Sequence, residues 1–132
     1  ADALIGECRD NDYDLIALPG GMPGAERLRD CSVLIDMLTE QRRRGAAYSS
    51  ICAAPAVVLQ PHKLLDGYKA TAHPAFSDRL LDQSSVASRV VVDGAVVTSR
   101  GPGTALEFAL ALVELLFDRQ TAERVAGPML VN

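Results

Sequence analysis

Cys52 is the residue of this sequence best placed to act as a nucleophile. It lies in the segment YSSICAAPAVV (48–58), where an apolar, β-leaning run ends and a helix-compatible run begins. The free N–H groups and positive dipole end at the start of a helix favour the thiolate over the thiol. Small residues follow at Ala53 and Ala54, and Pro55 suits a first helical turn. The pattern is typical of a nucleophile elbow with cysteine in place of serine.

The same local pattern fits an inert core thiol, because free cysteine is among the most buried residue types. Gly20 and Gly21 favour the nucleophile, since a glycine backbone can bring N–H groups close to a developing oxyanion. His73, in ATAHPAF, follows a possible strand and could serve Cys52 as an acid, a base or an ion-pair partner. It could equally hydrogen-bond a backbone carbonyl and serve structure only. His62, in LQPHKL, is interpreted as an exposed loop residue without a role.

Other kinds of site are poorly supported. Cys8 and Cys31 have no comparable turn context and are interpreted as bystander thiols. Two distant histidines and scattered cysteines match no metal-ligand spacing, so no metal is expected. The segment SRGPGT (99–104) lacks the Lys-Ser/Thr ending of a P-loop and the spacing of a dinucleotide site, so no nucleotide cofactor is expected.

The elements that must position these residues alternate between strand and helix. Strands are predicted within 13–21, 46–51 and 67–72, and a hairpin over 89–100 around Asp93-Gly94 in a type I′ turn. Helices are predicted over 2–9, from Asp30 or Ser32 to about Arg44, 53–59, 74–82 and 120–126. A long helix, expected to be largely buried, opens at a Thr104–Glu107 capping box. This order predicts an α/β sandwich with a mostly parallel central sheet.

In such sheets ligands gather at the carboxyl ends of the strands. Gly20-Gly21, Cys52 and SRGPGT all follow predicted strands, and their convergence at one edge is the main argument for a site.

Composition narrows the class of protein. The chain has 132 residues and a formal net charge of −4, which suits one domain and gives no electrostatic reason to expect nucleic acid or an anionic membrane as a partner. No apolar run approaches the length of a membrane span. Three cysteines without CxxC spacing favour reduced thiols, so a cytoplasmic location is expected.

Four segments in order, LIALPGGMPGAERL, ICAAP, AHP and VVTSRGPGTALEFALALVE, resemble the ThiJ/PfpI superfamily, and specifically its DJ-type, Parkinson-associated deglycase-like branch. The resemblance implies a flavodoxin-like three-layer sandwich and a homodimer. It also implies that Cys52 is an oxidation-prone nucleophile with His73 near it. Gly21 and Ala53 would supply oxyanion N–H groups, and the pocket would include Gly20 and the RGP segment (100–102), that is Arg100, Gly101 and Pro102.

Two departures from the family pattern affect the expected function. Ala53 stands where the protease-like branch has a histidine, which argues against peptidase activity. The family domain also begins earlier, with a segment that carries a glutamate hydrogen-bonded to the reactive thiol; Glu7 and Glu26 do not match it. Residues 1–132 are therefore expected to be the carboxyl-terminal two thirds of one domain, partnered by its own cleaved N-terminal fragment.

Two functions remain open at this level. One is cofactor-free glyoxalase or deglycase chemistry on a small aldehyde or a glycated substrate, in which the thiolate of Cys52 attacks an α-oxoaldehyde. The other is an oxidative-stress sensor or redox-regulated chaperone, in which the same cysteine is oxidised to a sulfinate without turnover.

Overall fold

A four-stranded, mostly parallel sheet forms the centre of the protein. The computed structural model describes residues 1–131. The strands are β1 (Leu15–Leu18), β2 (Ala47–Ile51), β3 (Val90–Asp93) and β4 (Val96–Ser99), in the spatial order β1-β2-β4-β3. β2 pairs in parallel with both β1 and β4, and β3 pairs antiparallel with β4. The α/β fold class predicted from the sequence is confirmed.

Five helices accompany the sheet: α1 (Ile5–Cys8), α2 (Gly24–Arg29), α3 (Ser32–Arg44), α4 (Ala105–Leu116) and α5 (Arg119–Ala126). α3 packs on β2, α4 packs on β3 and β4, and α5 packs on α4. The core lies between β2, the inner faces of α2 and α3, and residues 53–72. None of the described helices is long and apolar enough to cross a membrane.

In α3 the sequence determines which face of the helix is buried and where the helix ends. Leu34 and Leu38 recur at helical spacing and are buried, and Gln41 donates its side-chain N–H to the carbonyls of Ala47 and Tyr13. Gly45 ends the helix in the left-handed conformation (φ 71°). The predicted caps Asp30 and Ser32 are wrong, because the N-cap is Cys31, which makes no side-chain capping bond.

Residues 67–72 do not form the predicted strand. The N–H of Lys69 donates to the carboxylate of Asp93, and the N–H of Thr71 donates to Oγ1 of Thr98 at 3.0 Å. These donors bond to side chains of β3 and β4 instead of to strand backbone, so the segment forms no ladder. The predicted helix over 74–82 is reduced to a 3₁₀ turn at Ser77–Arg79.

The predicted hairpin is present, but its turn lies one residue later. Asp93 pairs with Val96, so Gly94 and Ala95 are the central residues. Gly94 has a φ of 59° and Ala95 does not have positive φ, which is the requirement of a type II′ turn and not of the predicted type I′.

α4 is less buried than its sequence predicts. Phe108 is its buried residue, whereas Leu106 is 52% exposed and Leu116 is 41% exposed. The predicted capping box is also wrong, because Thr104 makes no side-chain capping bond and the carboxylate of Glu107 accepts from Arg89. The sequence pattern identified the helix correctly, but it could not show which of its apolar residues are covered.

Candidate active site

Three segments meet at the carboxyl edge of the parallel strands. Gly20 follows β1, Cys52 follows β2, and Arg100 follows β4, and these strands are neighbours in the sheet. Since β2 lies between β1 and β4, Cys52 is at the centre of this edge. The sequence-based expectation that these segments converge is therefore satisfied by the topology.

Cys52 has a backbone conformation that few non-glycine residues adopt. Its φ is 66°, in the left-handed region, directly after the last residue of β2. Such a residue costs on the order of 1–3 kcal/mol and persists only where the surroundings fix it. The turn ends the strand abruptly and leaves the cysteine only partly buried, as a nucleophile elbow requires.

Two long-range hydrogen bonds fix this conformation. The N–H of Cys52 donates to the carbonyl of Ser99 at 3.0 Å, and the carbonyl of Cys52 accepts from the N–H of His73 at 2.8 Å. Both polar backbone groups of the cysteine are therefore bonded to other segments of the site. These bonds offset part of the cost of the left-handed conformation.

Gly20 makes the closest approach to the elbow. A Cβ atom at this position would lie 2.5 Å from Cβ of Cys52 and 2.8 Å from the carbonyl oxygen of Ile51. No side chain fits there, so the glycine is required by packing. Gly21 has a φ of 87° and lies at the surface, and its carbonyl accepts from the N–H of Ala25 at 2.8 Å.

The segment after Cys52 turns into the core. Ala53 and Ala54 are 1% and 0% exposed, and a short π-helix follows over Pro55–Leu59. The amide nitrogen of Ala53 lies 3.3 Å from the position a Gly20 Cβ would take. The predicted helix over 53–59 is thus present in a wider form, and π-helical turns are frequent at functional sites.

His73 is attached to the elbow through its backbone, and its ring is oriented by a local bond. Its Nδ1 accepts from the N–H of Ala75 at 3.1 Å, so in the neutral ring we assign the proton to Nε2. A neutral His73 can therefore donate a hydrogen bond through Nε2 but has no free lone pair on Nδ1. Gly101 lies beside it, since a Cβ there would be 3.6 Å from Cδ2 of the ring.

A hydroxyl network holds the loop that lines this edge. Oγ of Ser99 lies 2.6 Å from Oγ1 of Thr104 and donates to the carbonyl of Arg89 at 2.8 Å. Oγ1 of Thr104 accepts from the N–H of Gly101 at 3.1 Å. The guanidinium of Arg89 in turn donates to the carbonyl of Gly103 and to the carboxylate of Glu107. The sequence did not reveal this network, because Thr104 and Glu107 have the spacing of a helix cap.

The structure thus brings together most of the residues predicted for the site. Those joined by direct contacts or hydrogen bonds are Gly20, Cys52, Ala53, His73 and Gly101. Gly21 and Pro102 belong to the same two loops and are exposed, and Arg100 is half-buried between Ser99 and Gly101. The roles predicted for these residues remain predictions.

The remaining candidate residues lie elsewhere. His62 is exposed, and its ring Nε2 is 2.9 Å from the carbonyl of Arg29, the last residue of α2. Cys8 and Cys31 form no disulfide with each other or with Cys52. Within residues 1–131, no group of three or more histidine, cysteine or carboxylate side chains is arranged to hold a metal ion.

Comparison with known proteins identifies the family to which this fold belongs. Residues 1–115 match the model of the DJ-1/PfpI family. Protein DJ-1 homolog B of Arabidopsis thaliana is 50% identical over 99% of this chain, which spans 30% of that relative. Glutathione-independent glyoxalase DJR-1.2 of Caenorhabditis elegans is 32% identical over 97% of this chain, which spans 68% of it.

A solved structure superposes closely on this chain. Oxidized Toxoplasma gondii DJ-1 superposes with a TM-score of 0.94 at 47% identity, over 98% of this chain and 71% of the other. The elements described here are therefore those of that fold, and the sequence resemblance is confirmed. The chain belongs to the DJ-1/PfpI family.

Proposed function

We propose that this protein is a cysteine-dependent, cofactor-free glyoxalase or deglycase-like enzyme that acts on α-oxoaldehydes such as methylglyoxal. The observation that carries the proposal is the conformation of Cys52, a partly exposed thiol held in the left-handed region by backbone hydrogen bonds with two other segments. The name of the C. elegans relative, a glutathione-independent glyoxalase, supports it. The proposal concerns the whole protein, because the chain spans only about a third of its Arabidopsis relatives.

The proposed reaction begins with addition of the thiol to the aldehyde. The sulfur of Cys52 forms a bond to the aldehyde carbon, the carbonyl π pair moves to oxygen, and protonation of that oxygen gives a hemithioacetal. The amides of Gly21 and Ala53 are proposed to stabilise the intervening oxyanion. His73 is proposed to donate a hydrogen bond through Nε2 to the same oxygen, which agrees with the hydrogen bond that its Nδ1 accepts.

Proton transfer then completes the conversion. The proton on the carbon bonded to sulfur is removed and a proton is delivered to the neighbouring carbon, which gives the thioester of a 2-hydroxy acid. Water hydrolyses the thioester, releasing the hydroxy acid and restoring the thiol. The family resemblance assigns the acid–base role in these transfers to a glutamate with no match in this chain. We therefore propose that residues 1–131 hold the nucleophile and the pocket, and that a preceding segment of the domain completes the site.

The direct test is methylglyoxal turnover by the protein and by matched cysteine variants. Cys52→Ser should reduce formation of lactate to the uncatalysed background, whereas Cys31→Ser, a change in another partly buried thiol, should keep it. Turnover that persists in Cys52→Ser would contradict the proposal. Intact-mass measurement under denaturing conditions should come first, because it shows whether a second polypeptide accompanies the chain.

A second function, a redox sensor or redox-regulated chaperone, is favoured by one specific observation. The Toxoplasma DJ-1 structure that this chain resembles is of an oxidized protein. In this alternative the thiol of Cys52 takes one oxygen from each of two peroxide molecules, giving a sulfinate and releasing water at each step. A gain of two oxygens at Cys52 under mild peroxide, without methylglyoxal turnover, would favour the sensor.

The assembly and location are proposals of the same kind. We propose a homodimer, as is typical of the family, and light scattering of the purified protein tests it.

We propose a cytoplasmic location because none of the three cysteines is paired. Fractionation of cells that produce the protein is the corresponding measurement.

A further inference from the structure

Two buried polar side-chain atoms have no hydrogen-bond partner within residues 1–131. They are Oγ of Ser50 and Nε of Arg100. Buried donors are nearly always paired, so each such atom calls for an explanation. The Arg100 nitrogen is the more informative of the two, because it belongs to a charged group for which an unmade bond is especially costly.

The register of the sheet places both atoms on one face near Cys52. Ser50 pairs with Thr98, so these residues point to the same face. Arg100 follows Thr98 by two residues and starts from that same face. It also comes directly after Ser99, whose carbonyl accepts from the N–H of Cys52 at 3.0 Å. The residue that carries the unpartnered guanidinium nitrogen therefore follows the strand end next to the elbow.

The other arginines that form ion pairs have their charges balanced by carboxylates. Within the described part of the chain, the five ion pairs use Arg29, Arg43, Arg44, Arg89 and Arg119. Arg89, the nearest of these in the sheet, has its charge balanced by Glu107 at 2.9 Å. Arg100 is in none of these pairs, so no carboxylate within residues 1–131 lies at ion-pair distance from its guanidinium.

We propose that Arg100 forms a carboxylate subsite beside Cys52, which holds small monocarboxylates and, in particular, the hydroxy acid product. This proposal rests on the proposed function and adds to it the group that recognises the product. A guanidinium presents N–H donors in a planar fork that matches the two oxygens of a carboxylate. The subsite also raises the rate at which reagents that carry a carboxylate react with Cys52, relative to the rate of neutral reagents of the same shape.

The test compares two alkylating reagents that differ in charge. Iodoacetate and iodoacetamide both form a bond from sulfur to carbon with loss of iodide, so the ratio of their rates at Cys52 cancels the intrinsic reactivity of the thiol. Arg100→Met should lower the iodoacetate-to-iodoacetamide ratio by about tenfold, which corresponds to loss of one nearby charge at an effective dielectric constant of about 20–40. Arg100→Lys should keep most of the ratio.

Arg119→Met is the matched control, because Arg119 lies on α5 and its side chain is 81% exposed. It removes the same charge from the molecule and should leave the ratio unchanged. An unchanged ratio in Arg100→Met, or an equal fall in Arg119→Met, would overturn the proposal. Peptide mapping assigns each alkylation to its cysteine.

A second measurement needs no variant. Lactate should slow the alkylation of Cys52 by iodoacetamide in the unmodified protein, and the neutral amide lactamide should not. Equal effects of the two compounds would overturn the subsite. The two measurements can fail separately. Protection by lactate without conversion of methylglyoxal contradicts the proposed function and keeps the subsite. Conversion of methylglyoxal without protection by lactate keeps the proposed function and overturns the subsite.

Discussion

At the scale of single residues, Gly20 and Cys52 determine each other's geometry. The cysteine adopts a left-handed backbone, and the glycine is the neighbour that allows it room. A Cβ at Gly20 would overlap Cβ of Cys52 and the carbonyl of Ile51, at 2.5 and 2.8 Å. The positive φ of Cys52 and the absence of a side chain at Gly20 are thus two parts of one local arrangement.

Gly20→Ala should therefore move the elbow. We expect a loss of about 1–3 kcal/mol in the free energy of unfolding, as for overpacked cores, and a slower reaction of Cys52 with iodoacetamide. Denaturant unfolding and alkylation rates measure the two effects. Gly24→Ala is the control, since a Cβ at Gly24 meets nothing within 4 Å. Normal thiol reactivity in Gly20→Ala would show that the contact does not hold the cysteine in place.

Part of this arrangement could be predicted from sequence. Cys52 was identified by its place between a strand and a helix, and the glycine pair by its place after a strand. Which glycine touches the cysteine could not be predicted, because it depends on how β1 lies against β2. The resemblance assigned the oxyanion role to Gly21, whereas the residue packed against Cys52 is Gly20. The proton position on His73 was equally hidden, since it follows from a hydrogen bond with Ala75.

At the scale of elements, local patterns predicted the strands and helices whose backbone groups bond to other backbone groups. β2, the β3–β4 hairpin, α3 and α5 lie close to their predicted positions. The errors lie where side chains replace backbone partners: Asp93 and Thr98 bond the 67–72 segment, and Thr104 bonds Gly101 and Ser99 instead of capping α4. α2 was missed because its six residues carry few apolar positions.

A buried tyrosine on β2 and an arginine at the end of α3 bond to the same turn after the π-helix. The hydroxyl of Tyr48, on β2, donates to the carbonyl of Leu64, to which Arg42 also donates at 3.1 Å. Arg42 further donates to the carbonyl of Asp66 and lies over the ring of Tyr68. Burial raises the pKa of Tyr48, and the guanidinium of Arg42 opposes that rise.

Tyr48→Phe should destabilise the protein by about 0.5–1.5 kcal/mol at neutral pH, because the carbonyl of Leu64 loses one donor. The difference from the parent should narrow as pH rises above 10.0, the ordinary pKa of the phenol. Above that pH the phenol of Tyr48 ionises in the unfolded parent before it ionises in the folded parent, so the free energy of unfolding of the parent falls. The variant has no phenol at this position and does not lose stability in this way. Urea unfolding between pH 7 and pH 11 measures this.

Tyr13→Phe is the control for removing a phenol hydroxyl, since the Tyr13 hydroxyl accepts from the exposed side chain of Asn11. A difference between Tyr48→Phe and the parent that stays constant across the pH range would contradict the burial argument.

At the scale of the whole molecule, several large apolar side chains of the described chain are exposed. Leu106, Leu116 and Phe117, on or next to α4, are 52%, 41% and 71% exposed. Contiguous apolar surface on a soluble protein marks a place where another surface docks or where aggregation begins. The periodicity of α4 therefore predicts burial that residues 1–131 do not supply.

Replacing Leu106 and Phe117 together by glutamine should lower binding of a hydrophobic dye such as ANS to this chain. Because both side chains already face water, the free energy of unfolding should change by no more than about 0.5 kcal/mol per site. Phe108→Gln is the contrast, since Phe108 is 8% exposed and its replacement should unfold the chain or destabilise it strongly. Dye binding that does not fall would mean that the two residues are covered in solution, which sedimentation at several concentrations can detect.

The two hydrogen bonds of Cys52 also set the order in which the site is assembled during synthesis. The ribosome makes Cys52 well before His73 and Ser99, whose backbone groups hold the cysteine in its left-handed turn. A nascent or prematurely terminated chain that stops before Ser99 carries the thiol in an ordinary flexible segment. The left-handed conformation of this cysteine should thus arise only once β4 has been made and has paired with β2, so that an incomplete product of translation carries an ordinary thiol at this position.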